Sequence, residues 1–156
     1  MSTDRSRASG LEIAVVLTPE ELSESLGLRR TVFAEEQGVP LELEVDAMDG
    51  DPRLTAGVVH LLGRIEGTAI CTGRLDFADT PAHVTRVAVR RECRGRGFGA
   101  ELMEALHGEA RSRGIRRVGL NAQLHALGFY ERLGYRAHGP VFLDAGIEHR
   151  AMSVSL

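Results

Sequence analysis

The 156-residue chain contains no lysine; all 19 of its Lys-plus-Arg positions are arginine. That absence removes one large class of nucleotide enzymes. A P-loop needs a lysine, and a hydroxyl residue after it, to reach the terminal phosphates and the magnesium ion. Cysteine is nearly absent as well. Cys71 and Cys93 make neither a Cys-x-x-Cys pair nor a disulfide framework, the usage expected of a reduced cytoplasmic interior. No spacing of ligand types marks a metal site, and no metal is expected. No apolar run approaches the length of a membrane span, so no membrane partner is expected. The first ten residues, MSTDRSRASG, are polar and lack the apolar centre of a leader; residues 1–10 are expected to be a disordered tail. With a net charge of -3 and a pI of about 6.1, the chain has no overall basic field to attract nucleic acid. Internal repeats are absent too.

What is present suits one domain over residues 11–156, since 43% hydrophobic residues supply a sizeable core. Leu11 to Leu17 reads as a strand. Thr18, Pro19 and Glu21 then mark a helix start, with Thr18 as N-cap and Glu21 completing a capping box. Leu22, Leu26 and Phe33 fall on one side of that helix. From Glu35 to Asp51 the chain turns acidic, and Pro40, Gly50 and Pro52 deny it a long regular element. This segment reads either as a solvated loop or as one that attracts a cationic substrate. Two apolar stretches flanking Glu66-Gly67 read as a hairpin. Further strands are expected from His83, over Arg117 to Gln123, and in RAHGPVFLD and IEHRAMSVSL. Helices are expected after Gly99 and in HALGFYERLGY, the latter ended by Gly134. The order is β-α-(loop)-β-β-β-α-β-α-β-β, an α+β plan with one mixed sheet.

The stretch from His83 to Gly114 stands out. A β-branched run, HVTRVAVR, leads into Gly95, Gly97 and Gly99 at alternate positions, and Phe98, Leu102, Met103, Leu106 and Ala110 follow at helical spacing. A strand, a glycine turn and a helix leave unpaired backbone N–H groups beside the positive end of the helix dipole, which makes an anion site. Gly95 to Ala100 formally satisfies the dinucleotide pattern G-x-G-x-x-G/A. The following strand, however, ends in Leu120-Asn121-Ala122-Gln123, without the acidic residue a ribose needs, and hairpins flank the unit on both sides. A dinucleotide and another pyrophosphate carrier both remain open on these residues alone.

Arg94-x-x-Gly97-x-Gly99 resembles the acyl-CoA loop of the GNAT superfamily of N-acyltransferases, whose pattern is Q/R-x-x-G-x-G/A. ALGFYERLGY, from Ala126 to Tyr135, resembles the tyrosine-bearing signature that follows it in the family. Arg29 to Phe33, Glu36 to Pro40, Glu44-Val45-Asp46 and the run Gly146 to Met152 are similar to the ElaA-like branch. The resemblance implies a GNAT-like single mixed, mostly antiparallel sheet flanked by helices. It also implies an acetyl-CoA-dependent N-acetyltransferase acting on a primary amine of a small molecule or peptide; a non-catalytic acyl-CoA-binding sensor is the alternative. Gly95, Arg96, Gly97, Phe98, Gly99 and Ala100 would hold the pyrophosphate, with Arg94 adding a charge-assisted bond alongside Arg96. Main-chain groups of Val87, Ala88 and Val89 would pair with the pantetheine arm, and an N–H among them would stabilise the oxyanion. Tyr130 matches the family's general acid. Gln123 stands where many members carry an asparagine that touches the cofactor. No motif fixes the base: Glu44 and Asp46 are the first candidates, with His60 and His83 as alternatives. Arg74 and Arg86 would either bind an anionic group of the acceptor or pair with the acidic segment. A homodimer is the expectation for so small an enzyme.

Overall fold

Seven strands form one sheet in the order β1-β2-β3-β4-β5-β7-β6 in the computed structural model of the chain, which describes residues 9–156. They are β1 (Leu11–Val15), β2 (Val58–Ile65), β3 (Thr68–Asp76), β4 (Ala82–Val89), β5 (Arg117–Gln123), β6 (Arg136–Asp144) and β7 (Ile147–Ser155). Every neighbouring pair is antiparallel except β4 and β5. The turn between β2 and β3 has φ of 49° at Glu66 and 82° at Gly67, the two-residue hairpin geometry that the glycine permits. The expected tail lies outside the described residues apart from Ser9 and Gly10, and the Ser9 hydroxyl donates to Glu101 at 2.9 Å.

Helices cover both faces. On one, α3 (Phe98–Ser112) buries Phe98, Leu102, Met103, Leu106 and Ala110, the residues at helical spacing in the sequence. Each of its large apolar side chains contributes on the order of 2 kcal/mol by leaving water. The helix sits close: a Cβ on Gly73 of β3 would come within 2.8 Å of Leu106. On the other face lies α1 (Pro19–Arg29), which continues as a π-helical turn over Arg30–Glu36. Leu22, Leu28 and Val32 pack there against Val16, Leu62, Ala69 and Ala88. The Ser25 and Thr72 hydroxyls, 2.6 Å apart, join α1 to β3.

Two local expectations need correction. Thr18 does cap α1, accepting from the Glu21 N–H, but the Glu21 carboxylate bonds back to the Leu17 N–H and the Thr18 hydroxyl instead of closing a regular capping box. The acidic segment is only in part a solvated loop: Glu35, Glu36, Glu42 and Asp46 are exposed. It folds into a short helix, α2 (Leu41–Glu44), and a single 3-10 turn over Ala47–Asp49, and both Glu44 and Asp49 are buried. The cause is Arg29, itself 1% exposed, which projects from the last turn of α1 and draws both carboxylates inward. Past β5, a short helix, α4 (Leu127–Arg132), ends at Gly134 with φ of 98°. The buried Tyr135 hydroxyl then meets His107 of α3 at 2.6 Å and fixes the end of α4 against the core.

Candidate active site

A defect in the sheet creates the site. Arg74 pairs with Thr85 and Thr72 with Ala88, so Arg86 and Val87 together oppose the single residue Gly73. Arg86 takes up the extra length at a left-handed φ of 57°. Such a bulge bends its strand. Parallel pairing of β4 with β5 is confined to Ala82–Val118 and His83–Gly119. Beyond that point the strands diverge, and a cleft of about 860 Å³ opens between Val84–Val89 on one wall and Leu120–Gln123 on the other. The Arg90 N–H donates to the Ile70 carbonyl at 2.8 Å. Bonded pairs alternate along an antiparallel ladder, so Ala88 also spends its main-chain groups on β3, while Val87 and Val89 turn theirs to the open side. Their side chains join the α3 core and the Ala88 methyl joins the α1 core.

At one end of the cleft lies the glycine turn. Gly95 and Gly97 have φ of 77° and 85°, and a Cβ on either would meet nothing within 4 Å. The turn is therefore open where side chains would stand at both glycines. Phe98, Gly99 and Ala100 form the first turn of α3, whose N–H groups have no intrahelical acceptor; the Glu101 N–H is the first to find one, at Gly97. Gly99 is closely packed, since a Cβ there would come within 3.3 Å of Phe129 on α4. Free N–H groups, room above the glycines and the positive end of a 15-residue helix fit a pyrophosphate. Side chains contribute less than expected. Phe98 is buried in the core and faces the site only through its backbone. Arg94 donates to the Val89 carbonyl at 2.9 Å and pairs with Glu36 at 2.7 Å. Arg96 lies over the Phe98 ring at 5.2 Å.

Tyr130 reaches the cleft from α4, with its ring edge-on to Phe129 and Tyr135 at 4.9 and 5.7 Å. Burial pushes its hydroxyl pKa up to about 12, so it stays protonated and able to donate. Opposite, Gln123 donates to Gln37 at 2.9 Å, which links the end of β5 to the end of the π-helical turn.

The acidic segment closes the far side of the cleft as an ion-pair network. Arg29 bonds Glu44 at 2.5 Å and Asp49 at 2.7 and 3.0 Å. Arg74, 2% exposed, holds Asp46 at 2.8 and 2.9 Å, Asp49 at 3.0 Å and Asp76 at 3.0 Å. Arg86 donates to the Glu44 carbonyl at 2.8 Å and lies 3.6 Å from the Glu44 carboxylate. Of the two expected roles for Arg74 and Arg86, the geometry is that of pairing with the acidic segment; the Arg74–Asp49 pair is buried, while Arg86 and Asp46 are partly open to solvent. Protonating Glu44 or Asp46 would break an ion pair. Partial burial raises the Asp46 pKa, but the hydrogen bond and charge of Arg74 outweigh it and hold the carboxyl below its ordinary value. His60 bonds the Met48 carbonyl at 3.1 Å, is 3% exposed and does not line the cleft; burial lowers its pKa. His83 does line it, at the floor where β4 and β5 still touch. Sequence reasoning missed His149 of β7, which also lines the cleft. Its one signal was its place inside the run Gly146 to Met152.

The family model described as an acetyltransferase (GNAT) domain matches residues 52–156, which span the bulged strand, the glycine turn and Tyr130. The chain belongs to the GNAT acetyltransferase family. The fold carries the same likeness. The Escherichia coli ElaA structure superposes with a TM-score of 0.80 at 27% identity, over 92% of this chain and 99% of that one. An acyl-CoA N-acyltransferase from Pseudomonas aeruginosa gives 0.78 at 32% identity over the same shares. Bacillus subtilis YjcF, named as an N-acetyltransferase, is 31% identical over 143 residues, 91% of this chain and 98% of its own length. Among the described residues there is no group of side chains suited to a metal ion, and no helix is long and apolar enough to cross a membrane.

Proposed function

We propose that this GNAT protein is an acetyl-CoA-dependent N-acetyltransferase that passes an acetyl group to a primary amine of a small molecule or peptide by direct attack on the thioester. The observation that carries the reading is the cleft itself. It runs from the open glycine turn, past the unpaired edge of β4, to a tyrosine whose hydroxyl stays protonated. In this reading the N–H groups of Gly95 to Ala100 take the pyrophosphate, with Arg94 and Arg96 at its margin. Val87 and Val89 offer main-chain groups to the pantetheine arm, with Ala88 holding the strand to β3 between them. An N–H at the bulge stabilises charge on the carbonyl oxygen as the carbon gains its fourth bond. Tyr130 gives its proton to the departing sulfur. Gln123 reaches the carrier once it lets go of Gln37. The N-acetyltransferase and N-acyltransferase names of the relatives support nitrogen as the acceptor atom. The family model's description as an acetyltransferase domain supports acetyl as the group moved.

The test combines calorimetry with a thiol-release assay. Acetyl-CoA and CoA should bind with 1:1 stoichiometry, and thiol should be released when amino sugars, polyamines, amino acids or peptides are offered. Absence of heat with either nucleotide would overturn the proposal.

A further inference from the structure

Removal of a proton from the acceptor amine has no assigned group in this chain: Glu44 at the cleft is held by Arg29, and Asp144, the other carboxylate that lines it, is exposed at the end of β6. We propose that His149 is that base, an inference that rests on the N-acetyltransferase reading. His149 of β7 sits opposite Gln123 of β5 and Phe142 of β6. Cross-strand partners share a face of the sheet. Gln123 reaches Gln37 at the end of the π-helical turn, so this is the α1 face, where Phe33, Leu43 and Glu44 bound the cleft. Tyr130 packs with the α3 core on the other face. A base and an acid on different walls of one cleft suit a reaction in which the amine must lose a proton and the thiolate must gain one.

The ring is built to accept a proton at one atom. Nδ1 lies 2.7 Å from the Ile147 carbonyl, which can only accept, so Nδ1 carries the hydrogen of the neutral ring. The lone pair is thereby fixed at Nε2, which has no hydrogen-bond partner among the described residues. Phe142 stacks on the ring with centroids 5.9 Å apart at 23° and restricts its rotation. The residue is 8% exposed, yet it lines the cleft. The other titratable or charged groups lining the cleft are Glu44, Arg86, His83, Cys93, Arg94, His125, Tyr130 and Asp144. Among these, Glu44 and Arg86 are tied into the ion-pair network.

The protons balance as follows. One N–H proton of the ammonium passes to Nε2 of His149 and on to solvent. The free amine forms the C–N bond, the C–S bond breaks, and the sulfur takes the Tyr130 proton. The second proton shed by nitrogen returns to the phenolate. One proton is released per acetyl transferred, with no oxidant or further reactant.

The experiment compares the full-length wild type with His149→Gln. Thiol release from acetyl-CoA is followed with tyramine, spermidine, glucosamine and a glycyl peptide as acceptors from pH 5 to 9. Calorimetric titration with acetyl-CoA runs in parallel, and the ring tautomer of His149 is read from long-range ¹H–¹⁵N spectra of the wild type. The wild-type rate should fall as pH is lowered across this range. His149→Gln should lose about 100-fold or more in kcat, together with that limb of the profile, the scale of a general base. Its acetyl-CoA affinity should not change. A His149→Gln enzyme with the wild-type rate and profile would overturn the inference while leaving acetyl transfer intact. So would a neutral ring protonated at Nε2, whichever amines turn over and whether or not the variant folds. Failure of the wild type to bind acetyl-CoA would overturn the acetyltransferase reading instead, and this inference with it.

Discussion

Replacing Asp49 by asparagine perturbs the most enclosed part of the ion-pair network. The Asp49 side chain is 0% exposed and accepts from Arg29 at 2.7 and 3.0 Å, from Arg74 at 3.0 Å and from the Asp46 N–H at 2.9 Å. Asparagine keeps the shape but presents an N–H₂ group to guanidinium donors and leaves part of their charge uncompensated. Breaking a buried pair in this way costs about 3–5 kcal/mol. Arg29 retains Glu44, and Arg74 retains Asp46 and Asp76, which points to the lower end, about 3 kcal/mol. For a domain of this size that is a fall in Tm of roughly 6–12 °C. The pH dependence gives a second, sharper readout. Burial raises the Asp49 pKa, but the hydrogen bonds from Arg29 and the Asp46 N–H, and the charges of Arg29 and Arg74, outweigh it and hold the carboxyl well below its ordinary value. A carboxyl depressed on folding contributes stability that is full above its unfolded pKa, about 3.9, and is lost as pH falls toward the folded value. Urea unfolding of wild type and Asp49→Asn at pH 7, 5, 4 and 3 should therefore give a constant gap above about pH 5 that narrows below about pH 4. A gap under about 1 kcal/mol, or one that does not change with pH, would refute the reasoning.

Three further perturbations read the cleft. Tyr130→Phe should cut turnover by about 100-fold while acetyl-CoA affinity stays within twofold; equal loss of both would mean the ring, and not the hydroxyl, matters. Gly97→Ala places a Cβ at φ of 85° and should cost about 1 kcal/mol in stability, together with a clear loss of CoA affinity by calorimetry. Unchanged CoA binding would remove the turn from the site. Gln37→Ala frees the Gln123 amide from a bond worth about 1 kcal/mol, so CoA should bind up to about fivefold tighter if Gln123 turns to the carrier. Weaker binding would show that Gln37 itself takes part.

Much of the fold was legible because its signals are local. β5 runs from Arg117 to Gln123 and β6 from Arg136 to Asp144, as the alternation and the flanking turn residues implied. The apolar spacing from Phe98 to Ala110 fixed which face of α3 is buried. The acidic segment misled because its charges were weighed only against solvent. Arg29 falls at helical spacing with Leu22, Ser25 and Val32, all of them buried. That spacing was the available sign that the arginine would be drawn inside and take its partners with it. No local rule predicts the partner, since Arg29 and Asp49 meet across a turn and a helix that neither specifies.

By itself, the sequence determined the glycine turn and the tyrosine helix, because glycine spacing, helix capping and a short signature act over a few residues. It also placed the chain in its family. Only the tertiary structure decided how far β4 and β5 diverge, because that depends on a two-against-one bulge at Arg86 and Val87 that appears only when β3 is laid beside them. Tertiary structure likewise decided which ionisable groups are free. Glu44 and Asp46 carry the charge expected of a base but are held by Arg29 and Arg74, whereas His149, two strands from the bulged β4 in the sheet order, keeps an open ring nitrogen at the cleft. Ionisable groups gain or lose their chemistry through neighbours distant in sequence, which only the assembled sheet brings together.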